Sequence, residues 1–269
     1  MALRRSTGLI NELARGFGVR ELLRDGRVYV YSGSQPASAD TAPSGTLLCT
    51  FTLLGGTYTA ATRADVELTL AGTAGSLDTV KVGGTTFNLL SAAVPFNTSL
   101  SQTAIDVAAN INARQNYLNI SAAANTPSVG DVMLYCPYWM GAGANGLTVT
   151  TTSTTLTVDI DNAGSPGTSE AGVFAGGVDA ANGLNFLETI SSGAISKEAS
   201  VWQGSGVATG TAGWFRYVAG GSTVDGTANT DVRFDGTVAT SGGDMTISST
   251  AITSGAVYTI SSGVITVSA

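Results

Sequence analysis

From residue 184 onward the chain is written almost entirely in short alternating runs: "NFLETIS", "GAISKEAS", "AGWFRYVAG", "TDVRFDGTV", "GDMTISS", "AVYTISS" and "VITVSA". They recur about every ten residues and are separated by Gly, Ser and Asp turns, a spacing too short for helices. A chain of this kind must satisfy its backbone by pairing strands and bury alternate side chains between layers. That predicts a sandwich, jelly roll or barrel. "RVYVYSG" and "TLLCTFTL", near the N-terminus, have the same character.

Between these two β-rich stretches the texture changes. "DVELTL", then "DTVKVGGTTFNLL" with a turn at Gly83–Gly84, then "SLSQTAIDVAANINARQN" read as strand, hairpin and helix. Ala104, Ile105, Ala108 and Ile111 are expected to share the helix's apolar face. "YLNISAAA", "DVMLYCPYW" and "GLTVTTTSTTLTVDID" supply further strands. The economical reading is mainly β. A sandwich or jelly-roll-like domain, residues 1–60 plus 182–269, carries N-terminal helices, and residues 61–181 form a small inserted α+β domain. Insertions of this kind succeed at loop tips, where the host chain's ends lie close together.

The first residues, "STGLINELARGFGVRELLRDG", place Leu9, Ile10, Leu13, Phe17, Val19, Leu22 and Leu23 near a 3.6-residue period. Ser6 or Thr7 serves as the N-cap, and Gly16 and Gly18 split the pattern into two short helices. Residues 1–27 hold six arginines against three acids in a chain whose net charge is −7, so the remainder is more acidic than the whole. A basic head on an acidic body fits docking on an acidic protein surface and disfavours wrapping nucleic acid. Arg4, Arg5, Arg15, Arg20 and Arg24 are the candidate docking residues. Trimming residues 1–26 is expected to leave a folded body.

Charged residues make up 12% of the sequence and hydrophobic ones 43%. Soluble proteins usually carry about 25% charged residues, so this surface is built from Ser, Thr, Asn and Gly, as in subunits covered by neighbouring copies or in β-rich adhesins. There is no apolar run long enough for a membrane helix and no apolar core of a signal peptide. Cys49 and Cys136 each sit in an apolar run and read as buried thiols.

The chemistry is mostly negative. The chain contains no histidine, which removes His-based acid–base catalysis, His-dependent nucleophiles and His-containing metal sites. No Gly-Lys-Ser/Thr phosphate loop is present, and no cofactor is expected. Asp159 and Asp161 are expected on one face of a strand, as are Asp65 and Glu67. Such pairs suit a divalent cation or a glycosidase-like couple, but equally the polar end of a strand entering a turn. Asp235, before Gly236, reads as a turn aspartate. Trp214, Phe215, Tyr217 and Phe234 read as core, with Arg216 reaching the rim of the sandwich. Trp202, Trp214 and Tyr138–Trp139 are the alternative, a sugar-stacking platform.

Two sets of motifs resemble bacteriophage proteins. The N-terminal helices with "VYSGSQP", together with "AGWFRYV" and the return "DGTVATSGGDMTIS", are similar to a family of tailed-phage virion proteins. The middle of the chain, through "VKVGGTTF", "AANINAR", "GAGANGLTVT" and "FAGGVD", resembles a small module of phage tail-sheath and other virion proteins. The resemblance implies a non-enzymatic structural subunit made in the bacterial cytoplasm and incorporated in the virion. Its partners would be capsid, neck or tail proteins and further copies of itself, with neither direct nucleic-acid contact nor a membrane. It favours a head decoration or neck-level role over the tail tube or tail tip, with the inserted module facing outward. A glycan-binding adhesin is the alternative from another class.

Overall fold

The computed structural model describes residues 3–84, 86–114, 118–124, 130–161, 166–191, 194–224, 230–247, 249–260 and 263–266. In chain order the elements begin with β1 (Arg4–Arg5), α1 (Thr7–Ala14), α2 (Val19–Leu22), β2 (Arg27–Ser32) and β3 (Leu47–Leu53). Next come β4 (Asp65–Ala71), β5 (Ser76–Val82), β6 (Val94–Pro95), α3 (Leu100–Ala113), β7 (Ser121–Ala124), β8 (Asp131–Tyr135), β9 (Thr148–Thr154), β10 (Thr157–Ile160) and β11 (Ser169–Val173). The chain ends with β12 (Phe186–Ser191), β13 (Ala194–Lys197), β14 (Trp202–Ser205), β15 (Gly210–Val218), β16 (Arg233–Ala239), β17 (Met245–Thr246), β18 (Ala251–Ile252), β19 (Val257–Ile260) and β20 (Val264–Thr266). It divides into two compact units, Met1–Ala61 with Ala180–Ala269, and Thr62–Asp179.

The first unit is a mainly-β, sandwich-like body. Its large sheet runs β1-β16-β15-β2-β3-β14-β19, with β17 beside β16 and β18 beside β15. A three-stranded sheet, β12-β13-β20, is the other layer. The pairing β15–β16 aligns Trp214 with Thr237, Arg216 with Asp235 and Tyr217 with Phe234. Because side chains alternate across a strand, one face of the sheet carries Trp214, Arg216, Arg233 and Asp235, and the other carries Phe215, Tyr217 and Phe234. That second face meets the small sheet. Phe186 of β12 packs edge-on against Trp202 at 5.4 Å and tilted against Tyr217 at 5.7 Å between ring centroids. Tyr217 and Phe234 stack at 5.1 Å. Trp214, Phe215, Tyr217 and Phe234 are all buried.

The N-terminal helices belong to this body. Ser6 caps α1 by accepting from the Leu9 amide, as its residue type predicts. Leu9, Leu22 and Leu23 are buried, whereas Ile10 is half exposed. The Tyr217 hydroxyl donates to the Leu23 carbonyl at 2.5 Å, fastening the end of α2 to the sheet. Gly26 is required there: a Cβ at this position would lie 2.2 Å from the Tyr217 hydroxyl. With this much of the segment in the core, removal of residues 1–26 would open the body rather than leave it folded.

The second unit packs two four-stranded sheets, β10-β4-β8-β7 and β11-β9-β5-β6, and α3 into one apolar cluster. α3 buries Thr103, Ala104, Val107, Ala108 and Ile111. Ile105 is turned outward, 44% exposed, so the apolar face sits one residue round from the expected one. The reason is Thr103, whose hydroxyl is absorbed by the Ser99 carbonyl at 2.8 Å and can be buried without cost to hydrogen bonding.

Cys49 and Cys136 are buried free thiols, and burial pushes both up to about 12. Only the thiolate attacks disulfide reagents. The native protein at about pH 8 should therefore leave a chromogenic thiol reagent uncoloured, and denaturant should release both thiols. Rapid labelling of either cysteine in the folded state would contradict this burial.

Candidate functional site

The densest polar constellation among the described residues lies on the Arg216 face of the large sheet. Arg216 Nε and Nη2 donate to the two Asp235 carboxylate oxygens, both at 2.7 Å, and neither side chain is exposed. The guanidinium also donates to the Val224 carbonyl through Nη1 and to the Thr41 carbonyl through Nη2, each at 2.9 Å. A planar fork against a carboxylate, with its remaining donors on carbonyls, is the arrangement in which a buried arginine is tolerated. Trp214 and Tyr31 stack at 4.5 Å alongside, and the Arg216 guanidinium lies 5.6 Å from the Trp214 ring.

Arg233, two residues from Asp235 on the same face, is fully buried too. Its Nη1 donates to Asp231 and to the Thr223 carbonyl, both at 3.1 Å, and its Nη2 lies 3.6 Å from Asp40. Burial and the neighbouring Arg216 charge together hold Arg233 below its ordinary range, against the pull of Asp231, Asp40 and Asp235. Burial likewise pushes Asp235 up, and the Arg216 fork offsets only part of that. At Asp40 the balance reverses. Burial raises its carboxyl, but hydrogen bonds from the Thr7 hydroxyl and amide and the Arg233 charge outweigh it, so the net direction is down.

This ladder holds the N-terminus. Asp40 accepts from the Thr7 amide and hydroxyl, at 2.9 and 2.7 Å. The buried Ser6 hydroxyl donates to the Asp231 carbonyl at 2.7 Å and accepts from the Arg233 amide at 3.0 Å. Arg4 donates to the Gln35 and Pro36 carbonyls, which end the "VYSGSQP" turn. The motif residues thus converge on one structural task. In "DGTVATSGGD", Asp235 holds Arg216, and Asp244 accepts from the Thr237 amide and hydroxyl at 2.9 and 2.8 Å, closing the return.

Two sequence expectations are corrected here. Arg216 does not reach the rim, and Asp235 is not a turn residue. Both lie inside strands, and each is buried because the other neutralises it. Arg4 and Arg5 lie before the N-cap Ser6. They form β1, the short edge strand paired with β16. Of the five docking arginines, Arg4 is engaged as above, Arg15 pairs with Glu12 and Arg20 with Glu21. Arg5 and Arg24 are exposed, and neither side chain makes a hydrogen bond or ion pair among the described residues.

Asp65 and Glu67 share the half-buried face of β4, as expected, but Asp159 and Asp161 part company. Asp161 lies beyond β10 with φ 59°, and its side chain accepts from the Glu67 amide at 3.1 Å, while Asp159 is buried within the strand. They therefore do not share a strand face. No group of acidic, Cys or His side chains suited to a metal ion occurs among the described residues. Trp202 and Trp214 are buried and cannot stack on an external sugar. On the opposite face of the large sheet is a cavity of about 210 Å³, lined in part by Val28, Phe186, Trp202, Phe215, Tyr217 and Phe234. Most of its lining is apolar, with Asp244, Thr246 and Tyr217 as the polar residues of its walls.

In the second unit the motif residues also act as struts. The Asn145 side chain donates to the Gly177 carbonyl at 2.9 Å and accepts from its amide at 2.8 Å, tying "GAGAN" to "FAGGVD". Asn112, at the end of α3, pairs the same way with the Ala122 amide and carbonyl. The Arg114 guanidinium lies 4.5 Å from the Phe87 ring, joining "AANINAR" to "VKVGGTTF".

Compared with models of protein families, with curated proteins and with solved structures, the chain matches none of them.

Breaking the buried pair by Asp235→Ala should cost about 3–5 kcal/mol in chemical denaturation, because a buried guanidinium is left unneutralised. Replacing both members, Arg216→Met with Asp235→Leu, should recover much of that loss. A single mutant as stable as the parent would mean the pair holds nothing. The lowered Asp40 carboxyl makes a stabilising contribution that is present above the ordinary aspartate range and is lost as pH falls through its folded value. Asp40→Asn should therefore flatten the acid side of the melting-temperature profile. An unchanged profile would remove Asp40 from the account.

Proposed function

We propose that this chain is a structural subunit of a tailed-phage virion, a head decoration or neck-level accessory protein in preference to a tail-tube or tail-tip component. The observation that carries the reading is where the motif residues go. Those that resemble virion proteins go to architecture: Asp235 of "DGTVATSGGD" and Arg216 of "WFRYV" form the buried pair, "VYSGSQP" receives Arg4, and Asp244 closes the return. Residues kept for architecture, on a chain with 12% charge, suit a subunit whose surface is covered by neighbours. Arg5 and Arg24, exposed and unengaged among the described residues, are the basic groups free to meet an acidic partner.

Quantitative mass spectrometry of purified particles against the major capsid protein tests the reading. Hundreds of copies in a simple ratio to capsid would support a decoration lattice, a handful in multiples of three, six or twelve a neck-level ring, and near absence would end the proposal. Because the N-terminal segment is part of the core, the docking role is tested by surface charge and not by truncation. Arg5→Glu with Arg24→Glu should lower incorporation severalfold without changing the melting temperature. Full incorporation of that variant would exclude these arginines.

A further inference from the structure

The cavity between the two layers of the first unit has a floor and a mouth. Phe186, Trp202, Phe215, Phe234 and Ile260 line it and are buried, whereas Asp244, Thr246 and Val264 line it and are exposed. The space therefore meets solvent at one end and aromatic rings at the other. Protein interiors pack closely enough to leave few voids larger than a water molecule. An apolar cavity of about 150 Å³ already holds benzene, and this one is about 210 Å³.

One polar group of the wall lacks a partner. Trp202 is 4% exposed, and its indole Nε1 is buried with no hydrogen-bond acceptor among the described residues. Lys197 Nζ, 5.5 Å from the indole ring, is itself a donor and cannot satisfy it. A buried N–H left unpaired is a standing loss of stability, and the cavity beside the ring is the open space from which an acceptor can come. A water would be poorly held there, because it needs about two to four polar partners. The Tyr217 hydroxyl already donates to the Leu23 carbonyl, and Asp244 is engaged by Thr237 at the exposed mouth.

We propose that this cavity binds a small uncharged aromatic molecule carrying one acceptor oxygen, as in a ketone, ester or ether. The oxygen accepts from Trp202 Nε1, and the apolar body lies against Phe186, Phe215 and Phe234. Rings on the floor favour an aromatic body through edge-on and offset contacts. The acceptor is uncharged because no Lys or Arg lines the cavity among the described residues and Asp244 stands at its mouth. A carboxylate would be buried there without a counter-ion. The site goes beyond the assembly reading and is tested on the isolated chain, so neither result decides the other.

The indole N–H resonances of the nitrogen-15-labelled chain read the site directly. The chain has three tryptophans. The Trp202 signal is identified by its loss in Trp202→Phe or, should that variant not fold, by cross-relaxation with the neighbouring Phe186 ring. Acetophenone should shift that signal downfield and saturably, leaving Trp214, on the opposite face of the sheet, where it is. Ethylbenzene, similar in size but without the acceptor, should bind about fivefold more weakly, and benzoate at least about tenfold more weakly. In Trp202→Phe the preference for acetophenone over ethylbenzene should vanish. No saturable shift with acetophenone would overturn the site. Equal affinity for acetophenone and ethylbenzene in the unaltered chain would overturn the Trp202 contact, and tight benzoate binding would overturn the uncharged ligand.

Discussion

A bidentate contact between two fully buried side chains, Arg216 and Asp235, organises the first unit. A lone guanidinium could not be placed inside a sandwich without loss, since the cost of removing a charge from water is comparable to a domain's net stability. Once paired, it becomes a rigid donor block with hydrogen bonds left over. Those go to the Thr41 and Val224 carbonyls, which belong to two different loops. Arg233 repeats the device one step along the same strand, and through Asp40 and Asp231 it reaches the first turn of α1. The N-terminal segment is therefore ordered both by electrostatics routed through a β-sheet and by the buried Leu9, Leu22 and Leu23, while Ile10 stays half exposed.

The two faces of the large sheet solve the burial problem in opposite ways. One is aromatic and meets the small sheet through Phe186, Trp202, Tyr217 and Phe234, leaving a mostly apolar cavity between them. The other is charged yet equally closed, because the Arg216 fork and the Arg233 Nη1 donor find carboxylates and carbonyls. Specificity of register follows from this contrast. Sliding β16 by one residue against β15 would bring Asp235 to the aromatic face and Phe234 to the guanidinium, so the ladder enforces the pairing that alternation alone allows.

The strand runs were legible because alternation and turn residues repeat with little ambiguity. An N-cap at Ser6 or Thr7 and the presence of α3 within "SLSQTAIDVAANINARQN" were legible from residue type and period. Local pattern does not carry partnership, and this is where the expectations failed. "WFRYV" and "VRFDG" each show a charge among apolar residues, and the signal that they belong together was only their shared parity on neighbouring strands. Asp40, in a polar loop, gave no signal at all. The Asp159–Asp161 expectation failed because β10 ends at Ile160 and the backbone turns before Asp161.

By itself, then, the sequence determined a strand-rich chain with a helical start, a low surface charge, no histidine chemistry and a basic head, because these depend on composition and short-range periodicity. Only the tertiary structure decided which charges are inside and which of the N-terminal arginines remain free. Those properties depend on residues far apart in the chain, such as Arg216 with Thr41 or Ser6 with Arg233. The free energy of burying a charge is set by the partner that folding brings to it, and no local stretch of sequence records that partner.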